Sequence, residues 1–149
     1  NLVEYSQAIY DLRIFTSGLK PLDVARNSLV SLALLENPDF ILFLDSDHSF
    51  DYDLLEKFVD YAEYEKADIV CAEYPMKVPP FETVKDGLGF TLIKKEVFDA
   101  IPSPWFKFEF DERGKLTVGE DVGFFRECKK MGFKRIVKGK IRHIGGWGR

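Results

Sequence analysis

The sequence has few cysteines and no long apolar run. Its two cysteines, Cys71 and Cys128, are far apart and form no CxxC pair, which excludes a disulfide framework and a zinc knuckle. No apolar run approaches the ~20 residues of a membrane-spanning helix. Residues 1–10 lack the basic flank and the unbroken apolar stretch of a signal peptide. We therefore expect a cytoplasmic protein with no transmembrane segment.

The sequence also has no excess of positive charge. Its formal net charge at pH 7 is −4, which gives no general attraction for nucleic acid, and we expect no nucleic-acid partner. The charge is uneven, because every charged residue from position 134 to 149 is basic. This stretch is either a solvated face or an anion-binding one, and the sequence leaves both open.

The chain is rich in apolar residues, which make up 46% of the sequence. Their spacing predicts helices that alternate with strands in the first half of the chain. The spacing of apolar residues predicts helices over 2–10, from Pro21 to a stop at Asn37-Pro38, and over 54–65, 95–100 and 121–131, with Gly132 as the last C-cap. Short apolar or alternating runs predict strands over 12–15, 39–44, 67–72, 90–93, 104–110, 135–137 and 140–143. The order at the start, α-β-α-β-α-β, is typical of an α/β domain with a mostly parallel sheet, which binds ligands at the carboxyl ends of its strands.

The segment FILFLDSDHSFD, residues 40–51, leads an apolar strand directly into carboxylates. Asp45 and Asp47 come first, and Asp51, Asp53 and Glu56 follow. Clustered carboxylates repel one another unless a cation, a proton or solvent relieves them. The segment therefore predicts a cation site, for which three interpretations are open.

A calcium loop is the first interpretation. Six side chains fall on the ligand positions of an EF-hand, namely Asp45, Asp47, Ser49, Asp51, Asp53 and Glu56. However, the position that requires glycine for its sharp turn is Phe50, and the preceding segment has the pattern of a strand. A calcium-binding module is therefore a weak alternative.

A phosphatase similar to the haloacid dehalogenases is the second interpretation. In that reading Asp45 attacks phosphorus, Asp47 acts as acid and base, and the Glu120-Asp121 pair binds magnesium. Against it, an α-β-α passage precedes the motif here, and Ser49 stands where threonine or valine is usual.

A glycosyltransferase that uses a nucleotide-sugar donor is the third interpretation, with Asp45-Ser46-Asp47 as its DxD element. A diphosphate leaving group concentrates negative charge, which a divalent cation offsets. In an extended segment residues i and i+2 point the same way, so Asp45 and Asp47 are expected to converge on one ion, or on an ion and a ribose. The positive charge that the cluster lacks would then arrive with the substrate.

Further motifs give the chain a resemblance to the GT-A fold glycosyltransferases, particularly the inverting enzymes of family 2, from about residue 14 to 146. The motifs are Ala-Arg-Asn at 25–27, FILFLDSDH at 40–48, DIVCAEYP at 68–75, Gly-Phe-Thr-Leu-Ile at 89–93, Pro-Trp-Phe at 104–106, Gly-Glu-Asp at 119–121 and His-Ile-Gly at 143–145. A sugar-phosphate nucleotidyltransferase shares related architecture and is a minor competitor.

The resemblance implies a role for each matched residue. It implies that Asp45 and Asp47 hold the donor and Mn²⁺ or Mg²⁺, that His143 completes the metal site, and that Asp121 is the catalytic base. Glu120 would assist Asp121 and orient the acceptor. The donor would be a UDP- or GDP-sugar, the acceptor a glycan, protein or lipid, and the enzyme a transferase of the hexosyl type.

Four other residues are interpreted from their own chemistry. Arg26, near the start of its helix, is expected to reach the donor diphosphate. Gly89 either lets the backbone approach the sugar or only relieves a turn, and Trp105 is either a core residue or a flat wall against the acceptor sugar. His48 would point away from Asp47 in an ideal strand, so we expect it behind the metal ligands or at the surface.

The sequence departs from the family pattern in two places. The family begins with a strand and loop that hold the nucleobase, whereas this sequence opens in what resembles the helix after them. It is also shorter between Pro80 and Gly89. We expect residues 1–149 to form a single GT-A-like catalytic domain whose first nucleotide-binding strand and a loop near 80–89 are missing.

Overall fold

The computed structural model describes residues 1–18 and 20–144. The helices in this part of the chain are α1 (Leu2–Gln7), α2 (Leu22–Leu34), α3 (Leu54–Tyr64), α4 (Lys95–Ala100) and α5 (Glu120–Lys130). The strands are β1 (Phe40–Leu44), β2 (His48–Ser49), β3 (Ile69–Pro75), β4 (Thr83–Val84), β5 (Phe90–Lys94), β6 (Glu109–Phe110), β7 (Leu116–Val118), β8 (Arg135–Lys140) and β9 (Arg142–His143). The predicted α/β class is confirmed.

The chain forms two compact units, each built from separate stretches of sequence. The first unit contains Asn1–Leu12, Leu42–Ile93 and the chain from Lys134 onward, and the second contains Arg13–Ile41 and Lys94–Phe133. The single catalytic domain expected for residues 1–149 stays a prediction.

The sheet of the first unit is centred on β3 and is mixed rather than mostly parallel. Its order is β1-β5-β3-β4, and β8 also pairs with β3. β8 runs parallel to β3, whereas β5 and β4 run antiparallel to it. Parallel neighbours require a crossover connection, usually a helix. The segment between β3 and β5 contains the short β4 and no helix, so the chain returns antiparallel.

The core of the first unit lies between this sheet and α3. The side chains from Ile69 to Ala72 at the start of β3 are fully buried, because they are apolar and burial removes them from water. α3 turns one apolar face inward, carried by Leu54, Leu55, Phe58 and Ala62. The Phe58 ring packs edge-on against that of Phe90 on β5, with 4.9 Å between centroids.

The second unit is organised by aromatic stacking and one amide. Phe124 of α5 stacks on Phe98 of α4 at 5.5 Å and contacts Phe106 at 4.7 Å. The Asn27 side chain donates to the carbonyl of Phe106 (2.7 Å) and accepts from its N–H (3.0 Å). This exchange ties the segment before β6 to α2. Gly132 has φ +83°, which confirms the C-cap predicted after α5.

Two predicted strands are wrong. Residues 11–18 form no regular element, and Ile14 and Phe15 are exposed, so burial does not favour a strand there. Of the strand predicted over 104–110, only the last two residues pair, as β6. The backbone of Phe106 is hydrogen-bonded to Asn27 instead of to a neighbouring strand.

Candidate metal and donor site

The acidic segment after β1 forms a tight turn rather than a straight continuation of the strand. The Asp45 N–H donates to the carbonyl of Gly89 (3.1 Å), and Ser46 and Asp47 form the turn. The chain then enters β2, which pairs antiparallel with β9 so that His48 lies opposite His143. This pairing brings the two histidines of the sequence together.

Asp47, His48 and His143 offer one potential metal-binding atom each, and these atoms lie within 4.8 Å of one another. His48 Nδ1 is 3.1 Å from Asp47 Oδ1, and His143 Nδ1 is 3.8 Å from Asp47 Oδ2. The His48 side chain is 1% exposed, whereas Asp47 is 41% exposed. The group thus has a buried nitrogen side and a carboxylate open to solvent.

The electrostatics of the group favour the protonation states that bind metal. The Lys77 ammonium donates to Asp47 Oδ2, and this hydrogen bond holds the pKa of Asp47 below its ordinary value against the opposing effect of burial. Burial, followed by the charge of His143, lowers the pKa of His48. At neutral pH Asp47 is therefore an anion and His48 a neutral imidazole.

The ring of Tyr74 packs against both imidazoles. Tyr74 on β3 meets the ring of His48 at 4.6 Å and that of His143 at 5.4 Å, both edge-on. A Cβ at Gly89 would lie 2.9 Å from His48 Cε1 and from Tyr74 Cε1. Gly89 is thus required for the His48 ring to stand where it does. Its predicted contact with the sugar stays a prediction.

Asp45 lies beside this group rather than in it. Its Oδ2 is 4.0 Å from His48 Nδ1, and its side chain is 39% exposed. An extended backbone would put the Asp45 and Asp47 side chains on the same side of the chain. The turn at Ser46-Asp47 replaces that arrangement, and it brings His48 alongside Asp47 instead.

Arg26 and Glu120 form a buried ion pair in the second unit. The guanidinium of Arg26 in α2 contacts the carboxylate of Glu120 at the start of α5. Both residues are nearly inaccessible to solvent, at 6% and 5% exposed. Buried charges are tolerated when paired, so the pair fixes the start of α5 against α2.

Asp121, the residue after this pair, is partly exposed. Its Oδ1 accepts a hydrogen bond from the Val122 N–H (2.8 Å). The N-cap of α5 is Gly119, which provides no side-chain cap. Asp121 thus presents a carboxylate at the positive end of the helix dipole, on an element that Glu120 anchors.

Trp105 is half-buried and has its polar atom satisfied within the second unit. Its indole N–H donates to the carbonyls of Phe98 (3.0 Å) and Ile101 (2.9 Å). The ring is perpendicular to that of Phe98 at 5.8 Å. Any contact of Trp105 with an acceptor would therefore be made by the face or edge of the ring rather than by its N–H.

Three further side chains lie around Asp47, from His48, Lys77 and Tyr74. His48 is buried with a nitrogen facing Asp47, so its predicted position at the surface is wrong, whereas its predicted position behind the metal ligands stays a prediction. No local sequence pattern points to Lys77 or Tyr74. The one usable signal was that His48 directly follows Asp47. The Gly145 of the His-Ile-Gly motif lies outside the described residues.

The calcium-loop alternative does not agree with the local structure. The segment before the carboxylates is the strand β1, and two residues inside the supposed loop form β2. An EF-hand requires a helix before the loop and a continuous loop of ligands.

Among the described residues, no helix is long and apolar enough to cross a bilayer.

Comparison with known proteins gives the family. A family model described as "Glycosyl transferase family 2" matches residues 2–138. No curated protein matches the chain. The crystal structure of A197 from STIV is similar in fold, with a TM-score of 0.60 and 23% identity over 86% of this chain and 69% of that chain. The GT-A resemblance is thereby confirmed, and the phosphatase interpretation is not supported. The chain belongs to glycosyl transferase family 2 and is a glycosyltransferase.

Proposed function

We propose that this glycosyltransferase moves a sugar from a nucleoside-diphosphate sugar, such as a UDP- or GDP-sugar, to an acceptor hydroxyl on a glycan, protein or lipid. The reaction would be metal-dependent and inverting, and of the hexosyl type. The observation that carries the proposal is the group of Asp47, His48 and His143 immediately after β1.

The residues of this group suit Mn²⁺ or Mg²⁺. An anionic carboxylate and neutral imidazoles are the forms that bind metal. The Nδ1 atoms of both histidines are buried without a hydrogen-bond partner within the protein. Buried polar atoms normally have partners, so these two orphaned nitrogens agree with a ligand that the protein alone does not supply. We propose Asp47 and His143 as metal ligands, with Asp45 beside them on the donor.

The chemistry that such an ion supplies is charge stabilisation of the departing diphosphate. The chain adds positive charge of its own, since the Lys77 ammonium already lies at Asp47 and its side chain is 46% exposed. We propose that Lys77 meets a diphosphate oxygen when the donor is bound.

We propose a positioning role for Arg26 in place of the predicted contact with the donor diphosphate. To reach a diphosphate its guanidinium would have to leave Glu120, and this would strand a buried carboxylate. We therefore propose that Arg26 and Glu120 act together to position α5 and, through it, Asp121.

Asp121 is proposed as the general base that removes the proton from the acceptor hydroxyl. Its carboxylate is accessible and lies on a fixed helix start. A positioned base contributes about 10²–10⁴ in rate. Trp105 would provide an apolar face for the acceptor sugar.

The test is Asp121→Asn, assayed by diphosphate release in a screen of nucleotide sugars with Mn²⁺. We expect transfer to fall by about 10²–10⁴ while donor affinity changes less than twofold. The matched control is Glu127→Gln, which removes one negative charge from the exposed face of the same helix and should retain full activity. Undiminished transfer by the Asp121 variant would remove it from the mechanism.

A further inference from the structure

His48 is the least exposed member of the group formed by Asp47, His48 and His143, and both of its ring nitrogens lack a hydrogen-bond partner among the described residues. Its side chain is 1% exposed. Neither Nδ1 nor Nε2 has a hydrogen-bond partner within the protein. A buried imidazole that serves only as a packing element would normally be held by at least one hydrogen bond.

The surroundings hold the His48 ring with its Nδ1 facing the Asp47 carboxylate. Tyr74 and His143 pack against the ring at 4.6 and 4.1 Å, and Gly89 leaves room for it on another side. Nδ1 is 3.1 Å from Asp47 Oδ1 but is not aligned for a hydrogen bond with it. Neighbouring ligand atoms of one ion lie about 3 Å apart when the metal–ligand bonds are ~2.0–2.2 Å long. The spacing of His48 Nδ1 and Asp47 Oδ1 agrees with this.

We propose that His48 is itself a ligand of the metal ion, so that the centre consists of two imidazoles and one carboxylate, from His48, His143 and Asp47. This inference rests on the proposed function, because it takes the bound ion to be the one that would stabilise the diphosphate of the donor. It changes the expected identity of that ion. Imidazole nitrogens suit first-row transition ions, whereas Mg²⁺ prefers an all-oxygen shell. The centre therefore selects Mn²⁺, Co²⁺ and Zn²⁺ over Mg²⁺.

The first experiment follows the histidines directly. The sequence contains two histidines, so ¹⁵N-histidine labelling of the wild-type protein gives the imidazole signals of these two residues alone. Zn²⁺, which is diamagnetic, is added without nucleotide, and the ring nitrogens are observed by two-bond ¹H–¹⁵N correlation. We expect one nitrogen of each ring to shift to the position of a metal-bound imidazole. A shift in the His143 ring alone would overturn the proposal.

The second experiment measures affinity for metal alone by calorimetry. His48→Phe keeps an aromatic ring against Tyr74 but removes both nitrogens, and we expect Mn²⁺ affinity to fall at least about tenfold. Tyr74→Phe is the matched control, because it keeps the packing on both histidines, and its Mn²⁺ affinity should stay within twofold. The wild-type protein should bind Mn²⁺ at least about tenfold more tightly than Mg²⁺.

The outcomes separate this inference from the proposed function. Equal affinity for Mn²⁺ in His48→Phe and wild type would overturn the role of His48 and leave a metal-dependent transferase intact. If no divalent ion binds the wild-type protein, the metal dependence of the proposed function fails as well. Should His48→Phe not fold, as judged by circular dichroism, the histidine spectra of the wild-type protein decide the question.

Discussion

The Asp47 carboxylate is contacted by three basic side chains of the first unit. Lys77 and His143 approach Oδ2, and His48 approaches Oδ1. An ammonium and a metal ion are alternative partners for the same oxygen. The Lys77 side chain is half-exposed and long, so it is free to exchange Asp47 for another anion at small cost.

Lys77→Ala should affect metal and donor in opposite directions. Loss of the competing ammonium should raise affinity for Mn²⁺ alone by roughly 1.4- to fivefold, since exposed ion pairs contribute about 0.2–1 kcal/mol. The KM for the donor should rise, because the proposed contact with the diphosphate is lost. Lys57→Ala removes an equivalent charge from α3, where it pairs with Asp53, and should change neither quantity. A Lys77 variant that matches wild type in both would rule out the role.

At the same scale, the sequence predicted the candidate site only in part. Asp47 and His143 were identified, and the structure brings them together. An ideal strand alternates its side chains and would turn His48 away from Asp47, whereas the turn at Ser46-Asp47 breaks that alternation. The contact of Lys77 depends on a partner 30 positions away in the sequence, which no local pattern encodes.

At the scale of elements, α2 holds the second unit together through two adjacent residues. Arg26 binds the start of α5, and Asn27 binds the backbone of Phe106. The Ala-Arg-Asn, Pro-Trp-Phe and Gly-Glu-Asp motifs, which looked like separate functional signals in the sequence, are thus connected to one another. Their shared role is to fix the segment and the helix start that carry Trp105 and Asp121.

Asn27→Ala should destabilise the protein by roughly 1–3 kcal/mol, because it leaves the N–H and the carbonyl of Phe106 without their partner. Urea unfolding followed by tryptophan fluorescence measures this loss. Ser31→Ala lies on the exposed side of the same helix and should change stability by less than about 0.5 kcal/mol. A loss in Asn27→Ala no larger than in this control would show that the amide exchange does not stabilise the fold.

The elements with strong periodicity or strong burial were the predictable ones. All five predicted helices exist, as do β1, β3, β5 and β8, with ends shifted by a few residues. β2, β4 and β7, the two- and three-residue strands, were missed because pairing with a distant partner, not local pattern, makes them strands. A distant partner also explains the error over 104–110, because the Asn27 side chain takes the hydrogen bonds of the Phe106 backbone.

At the scale of the whole molecule, the buried His48 makes stability depend on pH. The pKa of His48 is lowered from its ordinary value of 6.5, mainly by burial. Between that lowered value and 6.5 the unfolded chain binds more protons than the folded one, so stability rises with pH in this window. Acidification below 6.5 should therefore reduce the free energy of unfolding.

Urea midpoints measured at pH 7.5, 6.5 and 5.5 test this expectation in the absence of metal. The wild-type midpoint should fall with acidification, and the fall should be smaller in His48→Phe, which has no proton to take up on unfolding. Lys57→Ala, which leaves His48 untouched, should follow the wild-type slope. If His48→Phe and wild type fall in parallel, the pH dependence comes from other groups.

The pairing of β2 with β9 also has a consequence for how the protein is made. A ribosome delivers Asp47, His48 and Lys77 long before it delivers His143, because β9 follows every other strand of the described residues. During translation the nascent chain therefore holds Asp47 and Lys77 without the second imidazole. The proposed metal centre can therefore form with all of its side chains only after His143 has been synthesised and β9 has paired with β2.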